Sequence, residues 1–177
     1  SSSADASTGD GATAYLGQEI IIASSQNGNL TAYEAMPGDD ISFFTSETVD
    51  LTPCSECGQL FVNPYAVDYS DEAIIYYPAG ATLLRANLKG EGWEELSGIS
   101  LPGGYGYSAL AVSTTPASRL YTAAYSQSDA PKLYRIDGAT TATAATGEIS
   151  IPDAEAGAYV LDIGVNPADA DELLVTL

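Results

Sequence analysis

One pattern restricts the fold of this chain more than any other feature: an apolar strand, a short polar turn and a second apolar strand, written three times. The copies are YAVDYSDEAIIYYPAG (65–80), ALAVSTTPASRLYTAAY (109–125) and DIGVNPADADELLVTL (162–177). Aligned, Val67, Val112 and Val165 share one position, and Ile75, Leu120 and Leu173 open the second strand eight residues later. The valines stand 45 and 53 residues apart, a period that marks repeated supersecondary units. A third strand repeats too: ATLLRANLKG (81–90) precedes PKLYRIDGAT (131–140) by 50 residues, so that Arg85 matches Arg135. QEIIIASSQNGNLTAYEA (18–35) reads as the second and third strands of an earlier, diverged copy.

Between these copies the 3.6-residue helical period is nearly absent. Short apolar runs recur, each bounded by Gly, Asn, Asp, Ser or Pro. They include EIIIAS (19–24), ISFFTS (41–46), SALAVS (108–113), KLYRIDG (132–138) and ELLVTL (172–177). The expected fold class is all-β. With looser fourth strands such as EISIP (148–152), each unit becomes a four-stranded antiparallel blade, and the chain becomes a β-propeller segment of about three to three and a half blades. The expected divisions are a diverged blade over 1–50, blades over 51–98 and 99–152, and the first half of a blade over 153–177. A ring needs about four to eight blades. The expectation is therefore an incomplete ring, closed by further blades outside this sequence or by a second chain pairing with the final strand.

The 177 residues carry 24 acidic and 5 basic side chains, a formal charge of −19, and no histidine. Phosphate recognition depends on Lys and Arg releasing counterions, so nucleic acid is not an expected partner; an anionic membrane surface is disfavoured for the same reason. No apolar run approaches the about 18 residues of a membrane-spanning helix, and SSSADASTGDGATAY at the start lacks the basic and apolar regions of a signal peptide. The acid excess suits an extracellular or salty environment. Without His, the chain holds neither a Ser-His-Asp nor a Cys-His mechanism. Cys54 and Cys57 lie in LTPCSECGQLFVNPY, a loop-then-strand context unlike that of a redox helix, and two thiols fall short of a structural zinc set. A small local disulfide, or a pair of reduced loop thiols, is the expected state.

The phrases FVNPYAVDYSDEAIIYYPAGATLLR, GWEEL, SALAVSTTPASRLYTAA, PKLYRIDGA and YVLDIGVNPADADELLV resemble the BNR or sortilin-like propeller superfamily, in particular secreted propeller proteins of Bacteroidota-type bacteria. The resemblance covers residues 52–177 and implies a secreted or cell-surface protein. The superfamily includes sialidases and xyloglucan-cleaving glycosidases as well as sortilin. Its Asp-box, Ser-x-Asp-x-Gly-x-Thr-Trp, has a nearest copy in ANLKGEGW (86–93), which keeps Gly90 and Trp93 but places Leu88 at the aspartate position. Trp93 is accordingly expected to pack within a blade.

Glycoside hydrolysis needs two carboxyl groups about 5 to 10 Å apart across a cleft. Asp68, Asp71, Asp137, Asp153 and Asp162 are all available, and nothing distinguishes a pair among them. Arg85, Arg119 and Arg135 are the only arginines, and two of them fill equivalent repeat positions, which predicts pairing with acidic turns or carbonyls in place of substrate binding. No catalytic residue and no cofactor are assigned. Calcium is a secondary expectation: DADE, DYSDE and PDAE place carboxylates in turns, with Asp169 and Asp171 as the best candidate ligands, although solvated turns use Asp in the same way. Twelve tyrosines, many in or beside strands, suit both strand-edge packing and a recognition face. The sequence therefore points to a non-catalytic extracellular or cell-surface module for protein or glycan interaction or assembly. The alternative is part of a BNR-type glycoside hydrolase whose catalytic acids lie partly in other blades.

Overall fold

The computed structural model describes residues 13–16, 20–24, 30–34, 48–50, 60, 63–68, 74–87, 91–96, 98–141 and 145–177. Cys54, Cys57, Asp71 and the run 41–46 lie outside them. Every regular element among the described residues is a strand: β1 (Thr13–Leu16), β2 (Ile20–Ser24), β3 (Leu30–Glu34), β4 (Thr48–Asp50), β5 (Ala66–Asp68), β6 (Ile74–Ala79), β7 (Thr82–Asn87), β8 (Glu91–Glu95), β9 (Gly106–Thr114), β10 (Ala117–Tyr125), β11 (Lys132–Asp137), β12 (Ala145–Ile149), β13 (Asp162–Asn166) and β14 (Asp169–Thr176). The fold is all-β. Its strands form three four-stranded antiparallel sheets, each in simple up-and-down order, and a final two-stranded hairpin.

Two compact units divide the chain, residues 1–63 and 64–177. The first holds sheet 1, in the order β1-β2-β3-β4. The repeat copy read at 18–35 supplies its two central strands, and Ile22 and Leu30 on those strands are fully buried. The flanking strands β1 and β4, four and three residues long, are too short to announce themselves by alternation.

The second unit holds sheet 2 (β5-β6-β7-β8), sheet 3 (β9-β10-β11-β12) and sheet 4 (β13-β14). The repeat has a structural meaning in its register. Val67 pairs with Ile75, Val112 with Leu120 and Val165 with Leu173, so the same two side chains sit opposite each other in all three sheets. One strand further, Arg85 stands opposite Tyr76 and Arg135 opposite Tyr121. The turn joining β6 to β7 passes through Gly80 at φ 65°, a left-handed conformation in which a Cβ would be strained.

Side chains alternate across a strand, so each sheet buries both faces when neighbours stack on it. Ala66, Tyr76 and Leu83 of sheet 2 meet Leu110, Leu120 and Ile136 of sheet 3 in one core. The opposite face of sheet 3, through Ala109, Tyr121, Ala123 and Leu133, meets Ile163 of sheet 4 with Val160 and the half-buried Leu173 and Val175 in a second core. The first strands lie closest together: β9 runs beside β5 on one side and β13 on the other. Trp93 packs its ring against Tyr77 in sheet 2, with centroids 5.7 Å apart, a position within the sheet as the sequence predicts.

Candidate functional site at the final hairpin

The turn into β14 is shorter than the run NPADAD suggests. Asn166 Oδ1 accepts the N–H of Ala168 at 2.9 Å, and Asp169 Oδ1 accepts the N–H of Asp171 at 3.0 Å. These side-chain bonds close the chain within two residues, Pro167 and Ala168, and strand pairing resumes at Asp169 opposite Asn166. Side-chain capping of this kind is how Asn and Asp tighten turns. DADE is therefore strand, and its side chains point to alternate faces.

That alternation delivers Asp171 to sheet 3. Its Oδ1 accepts from Arg119 Nη1 at 2.8 Å and from Arg135 Nη1 at 3.2 Å. The same two guanidiniums hold Asp137: Arg119 Nε donates to Oδ1 at 2.7 Å, while Arg135 Nε and Nη2 donate to Oδ2 at 3.0 and 2.9 Å. Two cations and two carboxylates thus form a closed ring of charge across the junction of sheets 3 and 4. Burial opposes ionisation of Asp137, but the hydrogen bonds from Arg119 and then Arg135 outweigh it and hold its carboxyl below the ordinary carboxylate range. The junction is stitched further by the Tyr121 hydroxyl donating to the Ala170 carbonyl, by Thr114 Oγ1 donating to the Pro167 carbonyl at 3.1 Å, and by Ala170 N–H donating to the Thr115 carbonyl at 3.2 Å.

Arg85, the repeat equivalent of Arg135, makes the corresponding step one sheet earlier. Its Nη1 donates to the carbonyls of Ala139 at 2.8 Å and Thr141 at 2.6 Å, and its Nη2 pairs with Glu94 at 3.0 Å. Both repeat arginines therefore lean from the third strand of one sheet into the next. Pairing with carbonyls or acidic turns is the role the repeat predicts for them; Asp171 is the acceptor that composition could not single out, because 24 acids compete for the assignment. The local clue was R-x-D in LYRID, since residues two apart on a strand share a face.

Beside this ring of charge opens a cleft of about 430 Å3. Leu133, Ile149 and, just beyond β12, Ile151 line it on the sheet 3 side, Leu173, Val175 and Leu177 line it on the β14 side, and Arg135 and Asp171 also line it. Among the described residues β14 pairs only with β13. Leu161, Leu174 and Leu177 are the large apolar side chains left exposed among the described residues, and Leu174 is 74% accessible.

The remaining candidates are dispersed. Asp68 is buried on β5, Asp162 accepts its neighbour's N–H in Ile163 at 2.9 Å, and Asp153 occupies a turn at φ 57°. Among the described residues no three His, Cys, Asp or Glu side chains converge as a metal-holding group; Asp169 is engaged with the β14 backbone and Asp171 with two guanidiniums. Tyrosines gather elsewhere, Tyr125 and Tyr159 with ring centroids 5.0 Å apart, and Tyr105 beneath the Lys132 ammonium at 6.0 Å. Neither a family model nor a curated protein sequence matches this chain.

Proposed function

We propose that this chain is a non-catalytic module of propeller type, working outside the cell or at its surface, where it mediates protein or glycan interaction or assembly. The observation that carries this reading is the fate of the charged groups. The carboxylates that converge beside the cleft, Asp137 and Asp171, are both neutralised by Arg119 and Arg135. A general acid for glycoside cleavage needs a raised pKa, whereas Asp137 is pushed the other way. These groups hold sheet to sheet. The function then resides on the exposed strand and loop surfaces, consistent with stacked, repeated sheets whose first strands adjoin and with an acidic exterior suited to solubility.

The test is to probe the purified chain against arrayed glycans and immobilised extracellular proteins while assaying hydrolysis of aryl glycosides in parallel. Saturable binding without turnover is expected. Turnover abolished by Asp137→Asn or Asp171→Asn would overturn the reading in favour of a hydrolase.

A further inference from the structure

Sheet 3 has two ends of different chemistry. At one, beside the ring of charge, the β9–β10 turn meets the β13–β14 turn through Thr114 with Pro167 and Thr115 with Ala170. At the other, β10 closes with Tyr125 opposite Gly106, the first residue of β9, and Tyr105 stands just before it. The segment leading to β13 crosses the β10–β11 turn here, where Gly157 N–H donates to the Asp129 carbonyl at 3.0 Å, and it brings the Tyr159 ring to 5.0 Å from that of Tyr125. Tyr76, Tyr77, Tyr107, Tyr121 and Tyr134 are buried, whereas Tyr105, Tyr125 and Tyr159 stay half-buried. We propose that Tyr105, Tyr125 and Tyr159 form a binding site for a neutral oligosaccharide, whose pyranose rings stack on the tyrosines while its hydroxyls donate to Asp129 and Glu148. This names a ligand class for the interaction module and rests on that reading.

Three observations specify the ligand. First, the rings are held in place before anything binds, which lowers the ordering cost of association. The Tyr105 hydroxyl donates to the Ala130 carbonyl at 3.0 Å, and the Lys132 ammonium stands 6.0 Å from its ring centroid. Tyr125 and Tyr159 lean on each other at 58°, so their faces look in different directions, and Gly157 seats the incoming segment within 3.1 Å of the Gln127 carbonyl oxygen, measured from the position of a Cβ. Second, the surroundings are polar. The β10–β11 turn supplies the exposed Gln127, Ser128 and Asp129, and Asp129 Oδ2 accepts from Ser126 Oγ at 3.2 Å and from Ser128 Oγ at 2.9 Å, which fixes the carboxylate. An apolar peptide anchor would strip water from these groups without replacing its hydrogen bonds, whereas a sugar offers apolar C–H faces to the rings and hydroxyls to the acceptors. Burial first, and then the neighbouring Tyr125, raise the Tyr159 phenol above its ordinary pKa, so its hydroxyl stays protonated and can donate or accept. Third, the charge selects against acidic sugars. Lys132 is already paired with Glu148 at 2.7 Å, and the chain as a whole carries −19.

The test titrates the full 177-residue chain in a calorimeter with neutral hexaoses of glucose, mannose, galactose and xylose, and with hexagalacturonate as the acidic counterpart. At least one neutral hexaose is expected to saturate with a Kd below about 1 mM, and hexagalacturonate to bind at least about tenfold more weakly. Saturation-transfer NMR from the aromatic protons needs no variant and is expected to be strongest at the pyranose C–H protons. Tyr105→Ala and Tyr159→Ala should each weaken binding at least about tenfold, as truncation of an aromatic anchor does. Tyr159→Phe keeps the ring and should stay within about threefold of the unaltered chain. Absence of saturation by every neutral hexaose, hexagalacturonate binding as tightly as they do, or full binding by both alanine variants would each overturn the site. A protein ligand lost on Tyr159→Ala, with no hexaose bound, would overturn it in favour of a protein partner. If the hexaoses fail while protein binding without turnover persists, only this site is lost; turnover of aryl glycosides would remove the module reading itself.

Discussion

Tyr76 and Tyr121 occupy the same repeat position, and removal of their hydroxyl groups is expected to have opposite consequences. The Tyr121 hydroxyl donates to the carbonyl of Ala170, a residue 1% accessible, across the junction of sheets 3 and 4. Tyr121→Phe deletes that bond and strands a buried acceptor, a loss of about 1 to 2 kcal/mol. The Tyr76 hydroxyl is buried between sheets 2 and 3 without a hydrogen-bond partner among the described residues. Holding an unpaired hydroxyl away from water costs about 1 to 3 kcal/mol, so Tyr76→Phe relieves part of that penalty while keeping the ring in the core. Burial first, and then the neighbouring Asp68, push the Tyr76 phenol above its ordinary pKa, so it remains neutral and the comparison is independent of pH across the neutral range. For a unit of this size 1 kcal/mol moves the midpoint by about 4 °C. Thermal denaturation followed by circular dichroism should therefore show Tyr121→Phe falling by about 4 to 8 °C and Tyr76→Phe unchanged or rising by up to about 4 °C. Equal losses in the two variants would refute the argument, because they would mean that both hydroxyls are bonded and that the repeat position has one role.

Gly157 adopts φ +77°, and a Cβ there would meet the Gln127 carbonyl oxygen at 3.1 Å, so Gly157→Ala should lose about 1 to 2 kcal/mol; an unchanged urea midpoint would contradict the strain. Asp137 has its folded pKa depressed by Arg119 and Arg135 against the opposing effect of burial. The unfolded chain then binds the proton more readily, so the stability this group contributes is present above about pH 4 and is lost as pH falls through the lower folded value. Urea midpoints at pH 6 and below pH 3 should accordingly show the Asp137→Asn penalty shrinking at the acid end, and a pH-independent penalty would sink the assignment.

Much of the architecture was legible because the core spacing is written twice, once along each strand and once along the chain. Valine paired with the residue eight positions on is a register statement, and each of its three copies falls on paired strands of the second unit. Among the strands that escaped, β1 and β4 are TAYL and TVD, too short for alternation to emerge from composition, and β8 is EGWEE, with three acids in five residues; the fourth strand expected at 148–152 instead spans Ala145–Ile149. DADE looked like a turn because Asp and Ala are common there, yet Asn166 and Asp169 close the turn with their own side chains and release Asp171 into the ladder. The ring of charge was half visible. Arg135 stood out by its repetition of Arg85, whereas the choice of Asp171 as the acceptor for Arg119 and Arg135 depends on which face of β14 meets sheet 3. The cleft was invisible in the sequence, since its walls come from β11, the segment around β12 and β14, and only stacking brings them together.

The leaning arginines give the array of sheets a direction. Arg85 reaches from sheet 2 into sheet 3, and Arg119, Arg135, Tyr121 and Thr114 reach from sheet 3 into sheet 4. Within the second unit each sheet thus serves as a template for its successor and is coupled chiefly to its nearest neighbours, as in a one-dimensional chain of cooperative units. Damage in such a chain has a short range. A substitution in sheet 2 is felt by sheet 3 and attenuated by sheet 4, so sequence can drift quickly along the array wherever each copy still offers its neighbour an arginine, an acceptor and an apolar face.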